Sequence, residues 1–119
     1  MKGQWINIYS GDLPLRSWWV DSGNECEYIS IVLPEVFGIN NWIRSFSEKL
    51  AAQNLPVLAI PLYGRTAPNL DLGYSEEDLK LGRHHKNLTT LKNIIEDVSA
   101  AINWVKEKYP KKKIAIIGF

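Results

Sequence analysis

The sequence predicts an α/β fold, a mostly parallel sheet flanked by helices. Three observations carry it. Tyr28 to Leu33, Val57 to Ile60 and Ile114 to Ile117 are short, continuous apolar runs rich in β-branched residues, the signature of strands buried on both faces. Segments with helical apolar spacing separate them. A polar/apolar alternation precedes the first run, marking half-buried antiparallel strands.

Gln4 to Tyr9 alternates (Gln4, Trp5, Ile6, Asn7, Ile8) and reads as a strand. Ser10-Gly11-Asp12 is a turn signal, Leu13 to Val20 its hairpin partner, and Asp21-Ser22-Gly23-Asn24 a second turn. Alternation within that partner strand places one ring of Trp18-Trp19 in the core and one outside. Residues 1–27 are thus an antiparallel pair, and residues 28–119 a parallel strand-helix-strand-helix-strand unit, right-handed by the crossover rule.

After Leu33 a helix follows. Asn40 or Asn41 can cap it, and Ile43, Phe46, Leu50 and Ala51 give it one apolar face. Asn54 closes it and Pro56 forbids continuation. Pro61 to Asn87 is long, polar and broken by Pro68, Gly73 and Gly82. It reads as a functional loop with a helical turn at Glu76 to Leu81. Thr89 to Tyr109 is the clearest helix. Leu91, Ile94, Ile95, Val98, Ala101, Ile102 and Val105 form its stripe, and Pro110 ends it.

The 119 residues suffice for one modest core. A formal net charge of +1 points to neither nucleic acid nor an anionic membrane. The run Lys111-Lys112-Lys113 reads as a solvated turn. The single cysteine, Cys26, permits no disulfide within the chain and fits a reducing compartment. No N-terminal apolar leader is present and no run approaches the roughly 18 residues of a span, so a cytoplasmic location is expected. No Cys/His cluster has metal-ligand spacing, and no metal or cofactor is expected.

In parallel sheets, ligands bind beyond the carboxyl ends of the strands. The loop after the first buried strand reads Pro34-Glu35-Val36-Phe37-Gly38-Ile39-Asn40, with a carboxylate at the strand's mouth. Its single glycine rules against a dinucleotide-binding turn, which needs G-x-G-x-x-G. Together with Pro61-Leu62-Tyr63-Gly64-Arg65 at the end of the second strand, and Glu96 to Phe119 as the helix and strand that follow, this loop resembles the dienelactone hydrolase family of the α/β-hydrolase fold. The family pattern is Glu-hydrophobic-Phe-Gly-hydrophobic-Asn and then Pro-x-Leu-Tyr-x-Arg. Glu35, Phe37, Gly38, Asn40, Leu62, Tyr63 and Arg65 match it, and Pro61 stands directly before Leu62, without the intervening residue of the pattern.

The resemblance implies an enzyme that hydrolyses an ester or lactone through a covalent acyl-enzyme. In the family the third buried strand enters a Gly-x-Cys-x-Gly nucleophile elbow. Gly118-Phe119 fits its first two positions, so the nucleophile is expected directly after Phe119, with an Asp and a His later, in the C-terminal half of the same domain. A serine there would make the enzyme a serine-dependent esterase of the same fold. A non-catalytic interaction protein that kept the fold is the third reading. A polypeptide ending at Phe119 is expected to be inactive and, with an apolar strand edge exposed, poorly soluble.

Within that resemblance Glu35 is the residue that activates the thiol and Val36 N–H is one donor of the oxyanion hole, beside which Gly38 permits a tight bend. A partly buried Glu35 would have a raised pKa, nearer a thiol's. Arg83, in "LKLGRHHKN", is the candidate for gripping a substrate carboxylate, with Lys86 as the alternative, and Phe37 is a further substrate contact. Arg65 is expected to brace its loop. His84 and His85 read as loop residues, because the catalytic histidine of this fold follows the nucleophile. Cys26 lies at the wrong end of the sheet to be that nucleophile.

Overall fold

The computed structural model describes the whole chain, Met1–Phe119. Five strands, β1 (Gln4–Ser10), β2 (Leu13–Val20), β3 (Tyr28–Leu33), β4 (Val57–Ala59) and β5 (Lys113–Gly118), form one sheet in the order β1-β2-β4-β3-β5. The helices are α1 (Asn41–Ala52), α2 (Glu76–Leu88) and α3 (Leu91–Lys108). β1 and β2 pair antiparallel, β2 joins β4 antiparallel, and β4, β3 and β5 run parallel.

Strand alternation divides the core in two. On one face Ile29 and Ile31 of β3, Leu58 of β4, Ile60 just beyond it, Leu15 and Trp19 of β2 and Ile8 of β1 pack with Ala101 and Val105 of α3. On the other face Val32, Val57 and Ala59 pack with Ile39 and with Ile43 of α1. A one-residue shift of any strand would exchange the two sets, so each core fixes the register of the other.

The caps follow the sequence. The Asn40 side chain accepts from Ile43 N–H at the start of α1. Asn54 takes the left-handed conformation (φ 67°) that lets the chain leave α1 for β4. Thr90 caps α3 and Ser75 caps α2.

Three expectations are corrected. The stretch from Glu76 to Leu88 is a complete helix, not a loop with one helical turn, so Arg83, His84, His85 and Lys86 are helical and the second crossover contains two helices. Its charged sequence hid it, since Gly82 is its one buried residue and it has no apolar face to read. The α3 stripe is buried only from Asp97 onward, with Leu91 and Ile95 72% and 56% exposed. Eighteen residues make a helix of about 27 Å, against roughly 20 Å for a six-residue strand, so the first turns overhang the sheet. Finally, Trp18 is not outside. Trp19 enters the α3-side core, while Trp18 is half-buried on the α1 side, edge-to-face with Trp5 at 5.0 Å and pressed against Gly3.

Candidate active-site cleft

From β3 the chain crosses through α1 to β4 on one side, and from β4 through α2 and α3 to β5 on the other. The carboxyl end of β3 is therefore the point where strand order reverses, and such a point opens a crevice. A cleft of about 540 Å³ lies there. Its walls come from the loop after β3 (Glu35, Val36, Phe37), the loop after β4 (Leu62, Tyr63), α2 (Leu79, Arg83, Lys86) and the end of β5 (Gly118, Phe119). Four segments far apart in sequence thus converge, and Glu35, Val36, Phe37 and Arg83 stand together at one cleft.

The loop after β3 is held rigidly. Gly38 N–H donates to the Glu35 carbonyl at 3.2 Å, closing a turn with Val36 and Phe37 at its centre. That bond fixes the Glu35–Val36 peptide plane and so aims the Val36 N–H. Neither Val36 N–H nor Phe37 N–H has an acceptor within the chain. Gly38 has φ 78°, and a Cβ there would collide with the Leu70 carbonyl oxygen, so only glycine fits the bend. Beyond it Leu72 N–H donates to the Phe37 carbonyl at 2.9 Å, and Asn40 Nδ2 donates to Leu72 O and Tyr74 Oη at 3.1 Å each. The Phe37 ring meets Tyr74 edge-on at 4.6 Å.

Glu35 is exposed at the rim, so the expected partly buried carboxylate is not found. The turn that presents Val36 to the cleft projects the residue before it outward. The cations Arg83 and Lys86 are exposed on α2 and form no ion pair with any carboxylate of the chain. Leu79, Arg83 and Lys86 are spaced by four and three residues, which puts all three on one helix face.

Arg65 does brace its loop. Its guanidinium donates to both oxygens of the fully buried Asp97 on α3 (Nη2 to Oδ1 2.9 Å, Nε to Oδ2 3.4 Å) and to Glu96 at 3.0 Å. The hydrogen bond donated to Asp97 holds the Arg65 pKa above its ordinary value. Tyr63, two residues earlier, is buried at the cleft wall, and burial raises its phenol pKa, so it faces the cleft as a neutral group.

His84 and His85 lie on α2 away from the cleft wall, His85 Nδ1 pairing with Thr66 Oγ1 at 2.9 Å. Cys26 precedes β3 at the opposite end of the sheet, beside Lys112. Sequence reasoning missed three things here. The partner of Arg65 is Asp97, which looked like a polar-face residue. Gly82 looked like a helix breaker. Phe119 packs edge-on against Trp42 and Phe46 at 5.4 and 5.2 Å, a contact between rings more than 70 residues apart that leaves no local signal.

Known proteins resemble this chain in sequence and fold. Residues 23–119 match the model of the dienelactone hydrolase family. A Synechocystis sp. protein named "Putative carboxymethylenebutenolidase" is 31% identical over 93 residues, 76% of this chain and 38% of that protein. A crystal structure from Klebsiella pneumoniae, described as a "Putative Dienelactone Hydrolase", superposes with a TM-score of 0.80 at 20% identity, covering 98% of this chain and 49% of that one. A Pyrococcus furiosus esterase superposes with a TM-score of 0.65 at 25% identity, over 99% and 40%. The chain spans half or less of the length of these relatives. No helix is long and apolar enough to cross a membrane. With the matching model covering residues 23–119, most of the chain, the chain belongs to the dienelactone hydrolase family.

Proposed function

We propose that this chain is the N-terminal portion of a cytoplasmic hydrolase that cleaves an ester or lactone through a covalent acyl-enzyme. The nucleophile is a cysteine directly after Phe119, with an Asp and a His further on, all supplied by the C-terminal half of the same domain. The observation that carries the reading is the Val36 N–H. It is aimed by a fixed turn, lacks an internal acceptor, and borders a cleft that also receives the end of β5.

Acyl transfer develops charge on the carbonyl oxygen of the substrate. A pre-aimed N–H stabilises that charge without reorganising, which water cannot do. Val36 supplies one such donor and the residue after the nucleophile the other. Glu35, on the adjoining rim, accepts the thiol proton and leaves the more nucleophilic thiolate. Its exposure lets the side chain swing towards the substrate rather than sit locked in the wall. Arg83 binds a carboxylate on the substrate, and Phe37 lies against its apolar part. No metal or cofactor enters this scheme.

The test is turnover of p-nitrophenyl acetate by the complete protein. Val36→Pro removes the N–H while keeping the φ that a second turn position favours. It should lower kcat about 100- to 1,000-fold. Glu35→Gln should lower both turnover and the rate of thiol alkylation. Unchanged turnover in both variants refutes the reading. A serine after Phe119 would keep the reaction and change only the nucleophile.

A further inference from the structure

Gly82 lies in the middle of α2, where glycine costs roughly 1 kcal/mol relative to alanine. It is the only buried residue of that helix. A Cβ built there would overlap the Val36 carbonyl oxygen and stand 3.0 Å from both the carbonyl carbon and the Cβ of Val36. The missing side chain therefore lets the helix backbone rest directly on the peptide that follows the Val36 N–H. The neighbours of Gly82 on this face are Leu79, Arg83 and Lys86, all at the cleft wall.

We propose that Gly82 is a positioning residue: by seating α2 on the Val36 peptide it sets the distance from the Arg83 and Lys86 cations to the oxyanion donor, and so sets how tightly the carboxylate end of a substrate is held. The proposal rests on the functional reading above for its chemistry but not for its geometry. Arg83 and Lys86 pair with no acidic side chain of this chain, and Glu35, the one acidic residue of the cleft wall, forms no ion pair with them, so both can hold an anion entering the cleft. The remaining ties of α2 are peripheral, through His85 to Thr66 and the helix ends. The Gly82 seat is thus what fixes the height of the cations above the cleft floor. A methyl at residue 82 requires α2 to withdraw by about 1 Å to restore van der Waals contact. A misplacement of that size costs up to about 100-fold in a positioned reaction.

The experiment uses the complete protein, with succinate as the probe anion and two esters, mono-4-nitrophenyl succinate and neutral p-nitrophenyl acetate. In Gly82→Ala, succinate affinity should fall ten- to hundredfold and KM for the anionic ester should rise by a similar factor, with KM for the neutral ester unchanged. Arg83→Gln should weaken succinate binding in the wild type yet add little to Gly82→Ala, because the cation is already out of place. A wild type that binds succinate and loses it in Gly82→Ala, but hydrolyses neither ester, supports the seat and refutes the hydrolase reading. Hydrolysis with a succinate affinity changed less than threefold refutes the seat and leaves the hydrolase reading intact. A wild type without measurable succinate affinity also overturns the seat, as does an equal rise of KM on both esters. Alanine favours the helix and α2 lies outside both cores, so a Gly82→Ala protein that fails to fold would show the helix to be a core element and would overturn the proposal too.

Discussion

Replacing Arg65 by alanine in the complete protein is expected to destabilise the fold by about 3 kcal/mol. Asp97 has no exposed surface, and its carboxylate is held from one side by a guanidinium that is itself only 28% exposed. A 2.9 Å N···O contact puts the charge centres about 4 Å apart, where the attraction is about 4 kcal/mol at an effective permittivity of ~20. Partial solvation of Arg65 reduces this, and the burial cost of Asp97 stays when the arginine leaves, so the net loss approaches the ~3–5 kcal/mol of a broken buried pair. Glu96 adds little, since it is 47% exposed. The assay is urea unfolding with linear extrapolation of Arg65→Ala, Asp97→Asn and the double variant. The two single losses should overlap strongly, leaving a coupling above ~1.5 kcal/mol. Arg65→Met with Asp97→Leu should recover most of the loss, because an apolar pair removes the stranded charge. A loss below ~1 kcal/mol for Arg65→Ala, or simple additivity, refutes the argument.

Gly38→Ala should cost about 2–3 kcal/mol by thermal or urea unfolding, combining a left-handed φ of 78° with overlap on the Leu70 carbonyl. Asn40→Ala should cost about 2 kcal/mol, since it loses the α1 cap together with the bonds to Leu72 and Tyr74, and it should loosen the loop that aims Val36, seen as faster exchange of the hydrogen-bonded Gly38 and Leu72 amides. Burial raises the Tyr63 and Tyr109 phenols above their ordinary 10.0. Their neutral forms favour the folded state, so this contribution is intact below pH 10 and is lost as pH climbs from 10 through the raised folded values; Tyr63→Phe should flatten that alkaline loss in a pH series of melting temperatures. Residues 1–119 expressed alone should show no esterase activity, and a stable, active monomer would contradict the proposed division of the site.

The features legible in the sequence were those set by local chemistry. Strands buried on both faces announce themselves by composition, and the Asn40, Thr90 and Asn54 caps by residue type. What escaped depended on tertiary partners. α2 carries no apolar stripe because a backbone contact at Gly82 takes its place, and a backbone contact leaves only a glycine as its trace. The α3 stripe has the right period, but period cannot say where the sheet beneath it ends, so nothing in it marks Leu91 and Ile95 as exposed. Asp97 follows Glu96 in sequence and looks solvated; only the arrival of Arg65 from 32 residues away makes its burial tolerable.

These partners together explain why the loop after β3 can be short, irregular and still rigid. Gly38 lets the backbone of residues 70–72 approach it from one side, and Gly82 lets the backbone of α2 approach from the other. Both approaches are backbone-to-backbone, so each is too close for any side chain. The Val36 peptide is thus clamped between two pieces of the same crossover, Pro61 to Thr90, whose own position is fixed by the Arg65–Asp97 pair. Disturbing that pair should therefore reach the cleft. Tyr63 lies two residues from Arg65, and the strand-like contact of Asp71 with Gly38 lies six residues beyond it. In Arg65→Ala the amides of Gly38 and Leu72, which donate to the Glu35 and Phe37 carbonyls, should exchange faster than those in the last turn of α1, which packs on the opposite face of the sheet from α3. Equal acceleration in both places would mean that the pair supports the fold at large and has no particular hold on the oxyanion loop.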